Sequence, residues 1–355
     1  MKNPFKFGTV VKGSDFCDRE SEMEMILSDI SSGTHITLIS PRRYGKTSLI
    51  LNLFDRINFA DTFYIDVMGL TTVNDFLNVY TKTFIEKIGG KSKIDTIVKK
   101  FLPKVEGLQI NIGSFGISLN ISPTNSNIEE VISLPEKLNR RVVVAIDEFQ
   151  EIANIKEFDL LAIFRKKAQF FQNTTFLFAG SRRHVMRDIF SNPERPFYRF
   201  SKIINIDVLD KNETLNFIEY KFKSSTIDID KDICEMIYDV SNGHPYYIQY
   251  ISHTLWNIVS LKRRSQCERE DFIEALNQVL YSERPMFEML WDSLTPNQKT
   301  VLRNIALDKS PYDLQMSAGS VKRVIDTLVK ADVIEKKNEK YQIIDPMLKI
   351  WLRKE

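Results

Sequence analysis

The chain has 355 residues, 43% hydrophobic and 27% charged, enough for two or three domains around sizeable cores. A formal net charge of +2 provides no global field for nucleic acid or membrane surfaces. Cys17, Cys234 and Cys267 lie far apart without ligand spacing and read as reduced thiols, and the four histidines are dispersed, so no cluster suggests a structural metal.

The segment Met1-Lys2-Asn3-Pro4-Phe5 lacks a signal-peptide core, and no run approaches the ~18 apolar residues that span a bilayer. A cytoplasmic protein without a membrane partner is expected. Phe16 to Glu22 leads into a helix with Met23, Ile26, Leu27 and Ile30 at helical spacing, and Asp18 is its candidate N-cap. This segment either packs on a sheet edge or covers an adenine base.

Ile36-Thr37-Leu38-Ile39 reads as a strand, Ser40 to Thr47 as a tight loop, and Ser48 to Phe54 as a helix. The loop Ser40-Pro41-Arg42-Arg43-Tyr44-Gly45-Lys46-Thr47-Ser48 ends like a phosphate-binding P-loop. Its backbone N–H groups and the helix N-terminus attract phosphate oxygens. Gly45 allows close approach, Lys46 reaches the β- and γ-phosphates, and the Thr47 hydroxyl is a candidate Mg²⁺ ligand. Ser40 stands where the pattern usually has glycine, a steric problem if its φ is positive.

A second strand is expected at Thr62–Val67 and a helix over roughly 72–88. The stretch 89–132 reads as an insertion with a short basic helix. Strict alternation on both sides of Gly113-Ser114 adds a β-hairpin, taken as an accessory without chemistry. Val142-Val143-Val144-Ala145-Ile146 is a doubly buried strand, and it ends in Asp147-Glu148. That is the Walker B pattern: Asp147 for Mg²⁺, Glu148 for the attacking water.

A helix through Phe158 to Phe170 and a fourth strand, Thr175–Gly180, follow. Ser181 and Arg182 at its tip are candidate γ-phosphate sensors, since ligands bind at strand carboxyl ends. Arg199 is a candidate arginine finger ahead of a fifth strand, Ile203–Val208. Residues 209–280 are wholly helical, with a stop and restart at Asn242-Gly243-His244-Pro245. Thr295-Pro296 opens the last part, where three helices and a charged hairpin at 333–344 form a winged helix. Its recognition helix exposes Lys322 and Arg323, which with Lys337 are candidate phosphate contacts.

Taken together, Phe16–Glu22, Pro41–Thr47, Asp147-Glu148-Phe149-Gln150, Gly180–Arg182, Phe197–Arg199, Gly243–Pro245 and Asp345-Pro346 to Trp351 resemble the archaeal-type ATPases. These are a branch of the AAA+ proteins near the STAND ATPases. The resemblance implies an α/β fold: a doubly wound parallel P-loop sheet, a helical lid and a C-terminal winged helix. The expected domains are 1–208, 209–284 and 285–355. It implies Mg-ATP or ADP bound by Lys46, Thr47 and Asp147. Glu148 is then the catalytic base, Ser181 and Arg182 the first sensor, Arg199 the family's arginine, and Pro245 a lid residue. An ATPase switch is the expected function, and a winged-helix DNA-binding regulator the alternative. The partner, DNA or protein, and homo-oligomerisation are left open. No nuclease activity is expected.

Overall fold

The computed structural model describes residues 2–89, 100–103, 105, 109–113 and 116–354. In chain order the strands are β1 (Ile36–Ile39), β2 (Asp61–Asp66), β3 (Gln109–Gly113), β4 (Gly116–Asn120), β5 (Val142–Asp147), β6 (Thr174–Gly180), β7 (Lys202–Asn205), β8 (Ile334–Lys337) and β9 (Lys340–Ile343). The described residues fall into two compact units.

The first unit comprises 20–42 and 49–206 and holds the main sheet. Its strand order is β2-β5-β6-β1-β7, and every pair is parallel. Parallel strands need crossovers, and helices between them supply these and cover both faces. β5 and β6 are buried along their whole lengths, which explains their unbroken apolar runs. The expected α/β parallel sheet is therefore present. Phe149, Phe164, Phe176, Phe178, Phe190 and Phe197 are all fully buried and pack against one another, edge to face or tilted except for the stacked pair Phe176–Phe178. β3 and β4 pair antiparallel, as the alternation predicts, and their turn residues 114–115 lie outside the described residues. The short basic helix expected before them falls largely on 90–99, also outside them.

Two elements are shorter than their sequence patterns suggest. The strand expected to reach Val208 ends at Asn205. The helix expected from Phe158 begins at Leu160, because Asp159 accepts the Ala162 N–H and caps it there.

The second unit comprises 2–19, 43–48 and 207–354. Its helices are Lys211–Ser224, Lys231–Ser241, Pro245–Leu261, Arg269–Ser293, Pro296–Ala306, Ala318–Lys330 and Pro346–Lys354. Asn242 and Gly243 take left-handed conformations between the second and third, and Pro245 restarts the chain at N1. Helix Arg269–Ser293 carries Pro285 in its interior, so continuous helix crosses the position where the lid is expected to end. Thr295 caps its helix with Pro296 at N1, as read from the sequence, and the structure adds a capping box with Gln298. The antiparallel β8–β9 wing and the flanking helices form the winged helix.

The N-terminal residues pack on helix Pro245–Leu261. Phe7 stacks on Tyr250 at 4.0 Å, and Gln249 Nε2 donates to the Asp15 carbonyl. Asp18 does not cap the first helix, which begins at Glu20. Its φ is 59°, and its carboxylate accepts the Asp210 N–H at 2.8 Å.

His35 precedes β1, and its Nδ1 accepts the Phe176 N–H at 3.1 Å. Burial, aided by Arg165, pushes its pKa down to about 4. A depressed histidine stabilises the fold above the ordinary pKa of 6.5, and this contribution is lost as pH falls towards about 4. The loss is on the order of 2 kcal/mol, allowing for the ring's partial exposure. His35→Asn keeps an acceptor near the Nδ1 position and cannot protonate there. Thermal unfolding of this variant should show a flatter pH dependence between 6.5 and 4 than wild type. Equal slopes would remove His35 as the source.

Candidate nucleotide site

Because all five strands are parallel, their carboxyl ends lie on one edge. The register places Ile39 beside Gly180, and Ile146 beside Phe178. Ser40, Asp147-Glu148 and Ser181 therefore leave the sheet on the same edge. β6 stands between β1 and β5, so the tip carrying Ser181 and Arg182 lies between the strand that feeds the P-loop and the Walker B strand.

In the loop, Ser40 keeps a negative φ, so the absent glycine brings no steric penalty. Its Oγ donates to the Pro41 carbonyl at 3.0 Å. The left-handed positions are instead Arg43 (φ 65°) and Gly45 (φ 81°). A Cβ on Gly45 would meet no protein atom, so within the protein it is the left-handed φ that calls for glycine there. Helix Lys46–Arg56 starts at Lys46, which is buried; Thr47 is half-buried and Ser48 buried. Ser48 Oγ accepts the Val11 N–H at 3.1 Å, tying the N-terminal segment to the first turn of this helix.

The side chains of Arg43 and Tyr44 turn towards helices of their own unit. Arg43 lies 4.5 Å above the Tyr246 ring and pairs with Glu283 at 3.4 Å. Tyr44 meets the His244 ring edge to face at 4.6 Å. His244 is buried, and burial together with Arg43 pushes its pKa down to about 3, so the ring is neutral. Its Nδ1 has no hydrogen-bond partner. Glu283 also accepts the Tyr246 hydroxyl at 3.2 Å. Tyr247 donates to Asp345 Oδ2 at 2.7 Å, and Asp345 Oδ1 accepts the Met347 and Leu348 N–H groups of the terminal helix. A connected set of polar contacts thus runs from the P-loop tip into the winged helix. Arg42 is exposed, and Pro41 is buried.

At the Walker B end, Asp147 is buried, and Tyr64 donates to its Oδ2 at 2.9 Å. Its Oδ1 accepts the Glu148 N–H at 3.0 Å. Glu148 adopts φ 54° and ψ 37°, a left-handed conformation costing a β-carbon-bearing residue roughly 1–2 kcal/mol. Two donors converge on its Oε2: Ser181 Oγ at 2.8 Å, and Gln150 Nε2. Arg182 pairs with Glu151 at 3.4 Å. Asp66 is opposite Asp147 in the register. Burial, then Met68, Asp147 and Glu148, act on its carboxyl, and the net result is a raised pKa.

Arg199 is exposed, takes φ 54°, and lies 5.1 Å from the Tyr198 ring. Pro245 is half-buried at the head of its helix. In the winged helix, Lys322 and Arg323 are exposed. Lys337 is also exposed, and it pairs with Asp207 at 2.9 Å.

Among the described residues no group of three His, Cys, Asp or Glu side chains is arranged to hold a metal alone. A hydroxyl at Thr47 and a carboxylate at Asp147 are hard oxygen donors, the set that suits magnesium carried on phosphates. No role was read from the sequence for Tyr64 or Asp66, and Gln150 entered only as the last residue of the Asp147–Gln150 motif. Tyr64 and Asp66 follow from pairing β2 with β5, which no local pattern encodes. Gln150 lies two residues past Glu148, and its proximity was the available signal.

A family model described as an ATPase domain predominantly from Archaea matches residues 16–251, and one described as a probable winged helix domain matches 285–354. An uncharacterized ATP-binding protein of Methanocaldococcus jannaschii is 23% identical over 320 residues, 84% of this chain and 87% of the relative. The Walker-type ATPase structure from Pyrococcus abyssi superposes with a TM-score of 0.72 at 19% identity, covering 99% of both chains. The ORC2 protein of Aeropyrum pernix, solved with ADPNP and ADP, gives 0.59 at 14% identity over 94% and 91%. At these identities the two structures speak to the fold alone, a P-loop ATPase fold. The chain belongs to the family of ATPase domains found predominantly in Archaea and carries a winged helix after it.

Proposed function

We propose that this protein is a magnesium-dependent ATPase whose nucleotide state switches the arrangement of its helical and winged-helix parts. The observation that carries the reading is Glu148, beside Asp147 at the sheet's carboxyl edge, with its carboxylate held by Ser181 and Gln150. A carboxylate so placed suits activation of water at a phosphate bound by the neighbouring P-loop.

In this reading the backbone of residues 40–48 cradles the phosphates of ATP, and Lys46 neutralises them. Thr47 and Asp147 would hold magnesium, which when bound supplies charge neutralisation on the phosphate oxygens. Glu148 takes a proton from water as its oxygen bonds to the γ-phosphorus, while the bond from that phosphorus to the ADP oxygen breaks. Ser181 keeps the base in place. Arg182 or the exposed Arg199 serves developing charge, Arg199 in its own site or in a neighbouring subunit's. Pro245, on the lid side, closes over the nucleotide.

The domains of this reading are 1–208 for nucleotide binding, 209–284 for the lid and 285–355 for the winged helix. Contacts of Arg43 with Tyr246 and Glu283, and of Tyr247 with Asp345, support a switch that reaches the winged helix. The winged helix offers Lys322, Arg323 and Lys330 to a partner. Among the described residues no helix is long and apolar enough to cross a membrane. We place the protein in the cytoplasm.

Glu148→Gln should bind Mg-ATP with wild-type affinity and lose about a hundredfold or more in phosphate release. Equal turnover by the two proteins would remove Glu148 from its role. A second test concerns the partner. If DNA is bound through the recognition helix, K322E/R323E should abolish a salt-dependent duplex affinity and flatten its salt slope. Unaltered DNA binding in that variant would exclude this face, and absence of DNA binding in wild type would leave a protein as the partner.

A further inference from the structure

Gln150 lies in the helical turn Phe149–Asn154 directly after Glu148 and is 1% exposed. Its Nε2 donates to Glu148 Oε2, the oxygen that also accepts from Ser181 Oγ. The amide has only one sensible orientation. Reversed, its oxygen would face a carboxylate oxygen with no proton between them. In the orientation that serves Glu148, Gln150 Oε1 is buried and has no hydrogen-bond partner. That oxygen rests against Gly180 at the tip of β6. A Cβ on Gly180 would collide with Gln150 Oε1 and come within 2.5 Å of Met186 Sδ. The missing side chain at Gly180 therefore makes room for the amide.

A buried acceptor left unpaired is destabilising, and such groups call for an explanation. A methionine would fill the same volume without it. What the amide provides, and an apolar side chain could not, is a second donor to the Glu148 carboxylate. Glu148 has a left-handed backbone, so its own main chain does not place the side chain in a common helical or extended geometry. Two donors from different elements, the turn after β5 and the tip of β6, then define where its carboxylate sits.

We propose that Gln150 is a positioning residue for hydrolysis: with Ser181 it anchors Glu148 Oε2, so that the carboxylate meets the attacking water in one orientation. The inference rests on the ATPase reading above and deepens it. Gly180 is the third part of the device, because it admits the amide. Gln150 does not touch nucleotide in this account, so ATP binding is independent of it.

The test is steady-state ATP hydrolysis and ATP binding by full-length Gln150→Met, with thermal unfolding in parallel. Turnover should fall about tenfold to a hundredfold, with KM and ATP affinity within about twofold of wild type. The unfolding temperature should hold or rise, since the unpaired acceptor is gone. Ser181→Ala should give the same separation of kcat from KM. In a Glu148→Gln background, Gln150→Met should add no further loss. Unchanged or increased turnover in Gln150→Met overturns the proposal. So does a lowered unfolding temperature with kcat and ATP affinity falling together, which marks the amide as structural. If wild type itself releases no phosphate under any condition, the ATPase reading fails and takes this inference with it.

Discussion

β5 and β6 are buried on both faces and run parallel, and the candidate site depends on that pairing. Both strands are apolar on both faces, so their register is held by the shape of the side-chain packing on each face rather than by an apolar–polar alternation. The register therefore decides that Asp147 and Glu148 emerge beside Ser181. The phenylalanine cluster under these strands supplies the packing that resists such slips. The Walker B carboxylates are placed by the sheet itself, and loops contribute only the donors that orient them.

The second unit presents a different balance of energies. Exposed ion pairs such as Lys337–Asp207 are worth about 0–1 kcal/mol and are easily exchanged. Asp345 is half-buried, and desolvation pushes its carboxyl pKa up against the three hydrogen bonds that favour its charge. A carboxylate of that kind is costly to leave unpaired, so the Tyr247–Asp345 contact is a firm joint. Arg43 over Tyr246 lies between these extremes, with a half-exposed guanidinium facing an almost buried Glu283. Firm joints at the winged helix and softer ones at the P-loop tip fit the nucleotide-responsive connection proposed above.

Much of this was legible in the sequence where the signal is local. The P-loop ending Gly45-Lys46-Thr47, the strand ending Asp147-Glu148, the Thr295-Pro296 helix start and the winged-helix order all rest on neighbouring residues. What the sequence did not disclose depends on distant pairing. That β6 separates β1 from β5, that Arg43 meets Glu283, and that Lys337 is held by Asp207 are tertiary facts. Ser40 would strain the loop only with a positive φ, and the positive φ falls on Arg43 and Gly45 instead. Asp18 has a capping residue's chemistry, yet its left-handed backbone gives its carboxylate to Asp210.

Isothermal titration of Mg-ATP into wild type and Lys46→Ala asks whether the loop at 40–48 holds a nucleoside triphosphate. One saturable site is expected in wild type, with a loss of about a hundredfold or more in affinity when the lysine charge is removed from the phosphates. Equal affinity in the two proteins, or no binding by wild type, would contradict binding by this loop.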